Sequence, residues 1–482
     1  MPVRRLVARA PLHELEPVFA AIRERAGVRE EHDPAVVADA VAAGERAARG
    51  EELPHVADER ADLTAVPFVT IDPEGSTDLD QALHLERTAD GWSVLYAIAD
   101  VGAHVEPGSA LDRDTRDRAE TVYCPDMRIG LHPAVLSEGF ASLLPDQRTK
   151  AAVWSIDVDL AGQIRSARVE RAWVRSVRQH AYTELSAAPP AEARELVQNL
   201  AELGAARRAL MRRRGAVTLP KPSQEVTRTA DGLSLEFRAA RDIEEDNAQV
   251  SLLAGQAAAM LMMNAGIGIL RTMPPATAEA MTRLRRQAKA LGVRWRDDES
   301  YADMLDHLDA ASPQGAAFLV QAVTLFRGAR WEPFDVARAD GSLPLPQVLT
   351  HGALATPYAH VTAPLRRLVD RFGLEICLAV SAGRPVPEWV REALPTLGDD
   401  MAGGVRRNAQ VDRECVDAVE SAVLAPHVGE VFEGIGLDER TVQLNEPAVV
   451  ARCEGDVAVG RKTLVRLVSA EPGQGPRFAV AS

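Results

Sequence analysis

Three aspartates fall within nine residues in Phe68-Val-Thr-Ile-Asp72-Pro-Glu-Gly-Ser-Thr-Asp78-Leu-Asp80-Gln81-Ala-Leu, directly after an apolar run that reads as a buried strand. Asp78 and Asp80 are at strand spacing, which directs both side chains to one face. Hard cations such as Mg²⁺ take carboxylate oxygens and keep positions open for substrate phosphate. The chemistry this pattern suits is metal-assisted attack on a phosphodiester. A solvated acidic turn is the alternative. A calcium loop of the EF-hand type is excluded, because no register supplies its glycine and its terminal glutamate between two helices.

A second segment, Tyr358-Ala-His360-Val-Thr362-Ala-Pro364-Leu-Arg366-Arg367-Leu-Val-Asp370, carries the complementary charge. Pro364 suits the first turn of a helix, and Leu365, Leu368, Val369, Phe372 and Ile376 make one apolar stripe. On that reading Arg366 and Arg367 lie near the positive end of a helix, where a bound anion would relieve the conflict. Pairing with a local carboxylate such as Asp370 would relieve it too. Aromatic residues are only 4% of the chain, so Tyr123 and Tyr182 stand out as platforms on which bases of any sequence can stack. Core packing is the other role open to them.

The string TIDPEGSTDLDQAL closely resembles the signature of the ribonuclease II/R family, the RNB-domain exoribonucleases, and the arginine segment resembles the same family's Y-x-H-F-T-S-P-I-R-R-Y-x-D. Tyr96-Ala-Ile-Ala-Asp100-Val, Pro107 to Asp112, Tyr123-Cys-Pro-Asp-Met-Arg-Ile and Leu136-Ser-Glu-Gly-Phe-Ala-Ser-Leu match further motifs in the same order. The resemblance implies that Asp72, Asp78 and Asp80 hold catalytic Mg²⁺, with Mn²⁺ able to substitute, and that Arg366 acts at the scissile phosphate. It implies that Tyr123, Tyr182, Thr362 and Arg367 contact RNA. Two positions depart from the pattern. Gln81 stands where the family has a fourth aspartate, so its amide oxygen would complete the metal shell without bringing charge. Gln249 stands where a functional glutamate is expected, and Asp100 is an alternative ligand for a second ion.

The implied activity is 3′→5′ hydrolysis of single-stranded RNA to 5′-mononucleotides, the strand entering 3′ end first. Two other readings stay open: a catalytically impaired relative that binds RNA, and a metal-dependent phosphodiesterase acting on other substrates. P-loop, nucleophile-elbow, zinc-protease and dinucleotide-binding signatures are absent.

The elements that must position these residues follow from the patterning. With 482 residues, 46% of them hydrophobic, the chain is long enough for several domains and a sizeable core. Residues 1–64 read as a helical module, either helix-turn-helix or winged-helix in type or a plain cap. Residues 65–425 read as an α+β catalytic domain, with strands at Trp92 to Asp100, Val153 to Val158 and Ala167 to Val174. Its helices are expected at Ala191 to Arg214, Asn247 to Met263, Thr277 to Leu291 and Leu365 to Val380. Residues 426–482 alternate like the short strands of an OB-type barrel, for RNA or for another partner. The net charge of −15 opposes nonspecific nucleic-acid binding over the whole surface, yet arginines cluster at 165–178, 207–214, 283–296 and 366–371. These are solvated helix faces or parts of a phosphate-lined path. Cys124, Cys377, Cys415 and Cys453 show no CxxC pairing, and the start Met-Pro-Val-Arg-Arg leads into no apolar signal segment. A soluble, cytoplasmic monomer without an organic cofactor is expected.

Overall fold

The computed structural model describes residues 9–56, 59–220, 222–229 and 232–481; the Met-Pro-Val-Arg-Arg start lies outside them. Two helices come first, α1 (Leu12–Arg25) and α2 (Pro34–Ala48). Strands β1 (Ala61–Asp62), β2 (Phe68–Asp72), β3 (Gln81–Thr88) and β4 (Gly91–Ala99) follow. Then come α3 (Ala110–Arg118), the short pair β5 (Val122–Tyr123) and β6 (Arg128–Ile129), and the long strands β7 (Arg148–Asp159) and β8 (Ile164–Ala181). The main sheet has the order β1-β8-β2-β3-β4-β7. β8 pairs with three strands, antiparallel to β7 along its first part, parallel to β1 at Ala172–Trp173 and parallel to β2 through Ser176–Ala181. The pairing with β2 sets Asp72, the last residue of β2, opposite Ala181, one residue before Tyr182.

Both faces of the sheet are covered, so central strand β4 is apolar nearly throughout instead of alternating. One face packs Tyr96, Trp154 and Val94 against α5 (Arg194–Arg213), α6 (Asp242–Ala265) and α10 (Leu368–Ser381). A short helix, α4 (Tyr182–Ala187), joins β8 to this layer, and the hairpin β9 (Ser223–Thr229) and β10 (Gly232–Arg238) precedes α6. The other face packs Ala97, Ala99 and Val101 with Leu79 and with Val36 and Ala40 of α2. Strands β11 (Ile267–Thr272) and β12 (Arg330–Asp335) form a separate antiparallel pair that joins the main core, and the chain between them folds into a satellite of α7 (Ala278–Leu291), α8 (Tyr301–Asp306) and α9 (Pro313–Val323). A 37-residue helix, α11 (Glu388–Leu424), leads to a closed barrel of β13 (Val431–Asp438), β14 (Thr441–Leu444), β15 (Val449–Glu454), β16 (Lys462–Glu471) and β17 (Gly475–Val480). No helix among the described residues is long and apolar enough to cross a membrane.

The fold is α+β with N-terminal helices and a C-terminal five-stranded barrel, as the patterning predicts. Three details differ. The two N-terminal helices bury their apolar faces in different cores: Leu15, Phe19 and Ile22 of α1 with α11 residues, and Val36 and Ala40 of α2 against the main sheet. Helix α6 starts at Asp242, where the acidic residues Glu244 and Glu245 favour its first turn. Helix α10 starts at Leu368, three residues later than the proline suggests.

Helix α6 fixes the arginine segment by close approach. Ala359 N–H donates to the Gly255 carbonyl at 3.0 Å, and a Cβ on Gly255 would lie 2.1 Å from the Tyr358 ring and 2.7 Å from the Ala359 carbonyl oxygen. Gly255→Ala is therefore expected to cost about 1–3 kcal/mol or more through overpacking, read as a lowered midpoint in thermal or urea unfolding. An unchanged midpoint would mean that this approach is not tight in solution.

Candidate active site

The acidic loop is built by the turn that follows β2. Ser76 N–H closes on the Pro73 carbonyl, and Gly75 takes the left-handed backbone (φ +81°) that the turn requires. Leu79 is fully buried between the two aspartates and anchors them. Its N–H donates to Ser142 Oγ, Ser142 Oγ–H donates to the Thr77 carbonyl, and its own carbonyl accepts from Leu143 N–H. Thr77 hydroxyl reaches Glu138, and Gln179 amide holds the Ser76 carbonyl.

The arginine segment meets this loop directly. Leu365 N–H donates to Asp80 Oδ1 at 2.7 Å, and Arg366 Nε lies 3.5 Å from Asp80 Oδ2. Because α10 begins only at Leu368, Arg366 sits in the turn ahead of the helix, and its counter-charge is the Asp80 carboxylate, not the helix end. The Arg366 side chain remains 46% exposed while the Asp80 side chain is 4% exposed. Thr121 N–H donates to the Arg366 carbonyl and His132 contacts that of Leu365, which brings the β5–β6 hairpin against the same turn.

Each carboxylate has a distinct environment. Burial pushes Asp80 up to about 8, against the opposing pull of Arg366 and the Leu365 N–H. Burial, with the Asp78 charge adding to it, pushes Asp72 up to about 6, and its Oδ2 is buried without a hydrogen-bond partner. Asp78 is paired with Arg128 at 2.5 Å, and Arg128 also binds Glu138. Carboxyls whose ionised form is disfavoured, beside an orphaned carboxylate oxygen, mark a site short of positive charge. A hard divalent cation fits that donor set in kind. In this conformation Asp78 and Asp80 face protein partners, and among the described residues no three His, Cys, Asp or Glu side chains are gathered as a metal shell.

Asp72, Asp78, Asp80 and Arg366 share one electrostatic neighbourhood, with Tyr123 beside Asp78, Asp80 and Arg366 and Tyr182 beside Asp72 and Arg366. Tyr123, on β5, is 55% exposed at the rim, which suits stacking and not core packing. Tyr182 is partly buried, and its hydroxyl accepts from Asn247 at 2.9 Å. Other positions have different roles. Gln81 Nε2 donates to the Thr362 carbonyl at 2.5 Å, so this amide ties the two segments together, and Thr362 itself is buried. Arg367 forms a two-pronged pair with Asp370, which also caps Ala363 N–H at 2.8 Å. The arginine expected to face RNA thus braces its own turn. Asp100 is no metal ligand here: it is buried between Arg60 (2.8 Å) and Arg171 (2.9 Å), which hold its carboxyl well below the usual range against the cost of burial. Gln249 Oε1 is buried without a partner. The sequence does not single out Arg128, Glu138 or Asn247, although Arg128 lies in the Tyr123 motif and Glu138 in the Leu136 motif.

An α+β domain whose acidic loop is faced by an arginine turn, followed by an OB-type barrel, defines the class of this chain. The RNB domain model matches residues 60–374, and the RNase II-type exonuclease C-terminal S1 domain model matches residues 430–481. The chain belongs to the RNB-domain family. It is 28% identical over 417 residues to a Ribonuclease R from Vibrio parahaemolyticus, covering 80% of this chain and 48% of that protein, so it spans about half the length of that relative. Its fold is similar to Mycoplasma genitalium RNase R in complex with ribose methylated single-stranded RNA (TM-score 0.81, 17% identity, 96% of this chain and 77% of that one). It is also similar to yeast Ssd1, a pseudonuclease (TM-score 0.68, 16% identity, 95% and 59%).

The Gln81 contact makes a prediction opposed to the metal-shell expectation. Gln81→Asp removes the donor to Thr362 and sets a carboxylate beside a carbonyl, so it should destabilise the fold by roughly 1–3 kcal/mol. It should not move a Mg²⁺ binding titration to lower concentration. Paired thermal melts and Mg²⁺ titrations test this, and a midpoint moved to lower Mg²⁺ would put Gln81 in the metal shell.

Proposed function

We propose that this chain is a metal-dependent 3′→5′ exoribonuclease that hydrolyses single-stranded RNA to 5′-mononucleotides, with Mg²⁺ as its metal and Mn²⁺ able to substitute. The observation that carries the reading is the junction of the acidic loop with the arginine turn, Leu365 N–H and Arg366 both on Asp80. Asp72, Asp78 and Asp80 are the residues to hold the metal, which when bound supplies a nucleophilic water at neutral pH and charge for the phosphoryl oxygens.

The chain's own residues divide the remaining work. Arg366 is half exposed and lies at 3.5 Å from Asp80, a loose and partly screened pair, so its fork is free to turn to a phosphate whose charge grows in the transition state. Tyr123 offers its exposed ring to the terminal base, and Asn247 fixes the Tyr182 hydroxyl beside Asp72. Discrimination for RNA would come from contacts to the 2′-hydroxyl. The C-terminal barrel provides a second RNA-binding surface, and the working unit is a monomer in the cytoplasm. A second reading, an RNA-binding relative without turnover, draws on Gln81 and Gln249, two amides where the family resemblance calls for acids.

Incubation of the purified chain with 5′-labelled single-stranded RNA should give stepwise shortening with Mg²⁺ and none with EDTA. Asp80→Asn should slow it by at least roughly 10²-fold, as for other groups that stabilise a transition state, while RNA binding persists. RNA bound but left intact by the wild-type chain would favour the pseudonuclease reading, and Asp80→Asn at near wild-type rate would remove the site assignment.

A further inference from the structure

Behind the arginine turn, between β11–β12 and α11, lies a cavity of about 490 Å³ lined by Arg271, Arg330 and Arg406, with Trp331 in its wall and one lining carboxylate, Asp399. Among the described residues none of the three arginines makes a side-chain hydrogen bond or ion pair. Arg271 is the most constrained. Its guanidinium stacks on the Trp331 ring at 3.7 Å, and its Nη1 is buried without a partner. Burial, together with the like charge of Arg367, pulls it down to about 10. Glu120 is the carboxylate that opposes this shift, without an ion pair to the guanidinium, and a desolvated guanidinium so weakly compensated costs stability unless an anion visits it. The pocket adjoins the proposed catalytic turn: Arg271 N–H donates to the Tyr358 carbonyl at 2.8 Å, and the Trp331 indole N–H donates to His360 at 3.1 Å.

We propose that this cavity binds a phosphomonoester, of the size of a nucleoside 5′-monophosphate. Three guanidinium groups against one carboxylate select an anion, and planar forks match phosphate oxygens. The volume falls in the range of small-molecule sites and exceeds what a single small anion fills. Its contact with Tyr358 and His360 of the segment that carries Arg366 makes a released mononucleotide the natural occupant. The proposal rests on the hydrolase reading for that source alone; the phosphate chemistry stands on the pocket.

The test is calorimetric titration of the full chain in EDTA, where turnover plays no part, with AMP, inorganic phosphate and adenosine. AMP should bind, with adenosine at least tenfold weaker. Arg406→Gln, at an exposed position, and Arg271→Gln should each weaken AMP at least tenfold, with folding checked by circular dichroism. Arg366→Ala should leave AMP affinity unchanged. Inorganic phosphate binding as tightly as AMP would support the anion site and make free phosphate its source. Absence of both AMP and phosphate binding, adenosine binding as well as AMP, or loss of AMP on Arg366→Ala with the pocket variants unaffected would overturn the proposal. AMP binding without RNA degradation would remove the hydrolase reading and leave the pocket standing.

Discussion

Asp80 accepts from a backbone amide 285 residues further along the chain and pairs with the neighbouring guanidinium. The rest of the molecule is arranged around making that contact. A carboxylate so deeply buried is unfavourable alone, and its ionised form needs both the Leu365 N–H and Arg366. The acidic loop is therefore held from behind by Ser142, and the arginine turn by Asp370 and by the Gly255 carbonyl of α6. Gln81 adds a second tie between the two segments through Thr362. The site is a suture between two ends of one domain.

Deeper charge networks keep the two sides of the suture in register. Asp100 at the end of β4 joins Arg60 and Arg171, and Arg171 also binds Glu375 of α10. Arg371 of α10 in turn binds Asp112 of α3. These buried pairs fix where α10 sits against the sheet, and breaking one partner would leave an uncompensated charge. Such networks answer how a protein with net charge −15 can hold so many arginines near its site. Several are bound inside, and the ones left without a carboxylate are the informative ones.

Much of this was legible from local pattern. The apolar run before Asp72, the alternation of the barrel strands and the capped helix at Thr277 each depend on neighbouring residues, and each appears close to its expected place. What was not legible depends on distant partners. Pro364 reads as a helix start, but the N–H of Leu365 is taken by Asp80 and the helix waits until Leu368. Arg367 and Gln81 read as substrate and metal groups by position in a motif, while their partners, Asp370 and the Thr362 carbonyl, use them for bracing. Helix α11 was not among the expected helices; Pro395 and Gly403-Gly404 lie inside it, and Gly404 lets the helix approach Ala119, where a Cβ would lie 2.6 Å from that side chain.

The central claim is that Asp80 and Arg366 act as one unit on the scissile phosphate. A double-mutant cycle with Asp80→Asn, Arg366→Ala and the combined variant, read by single-turnover cleavage of 5′-labelled RNA, tests it most directly. Groups acting together give losses that do not add. The account predicts that the combined variant is about as slow as the slower single variant. Losses that multiply would place Arg366 and Asp80 in independent roles and contradict it.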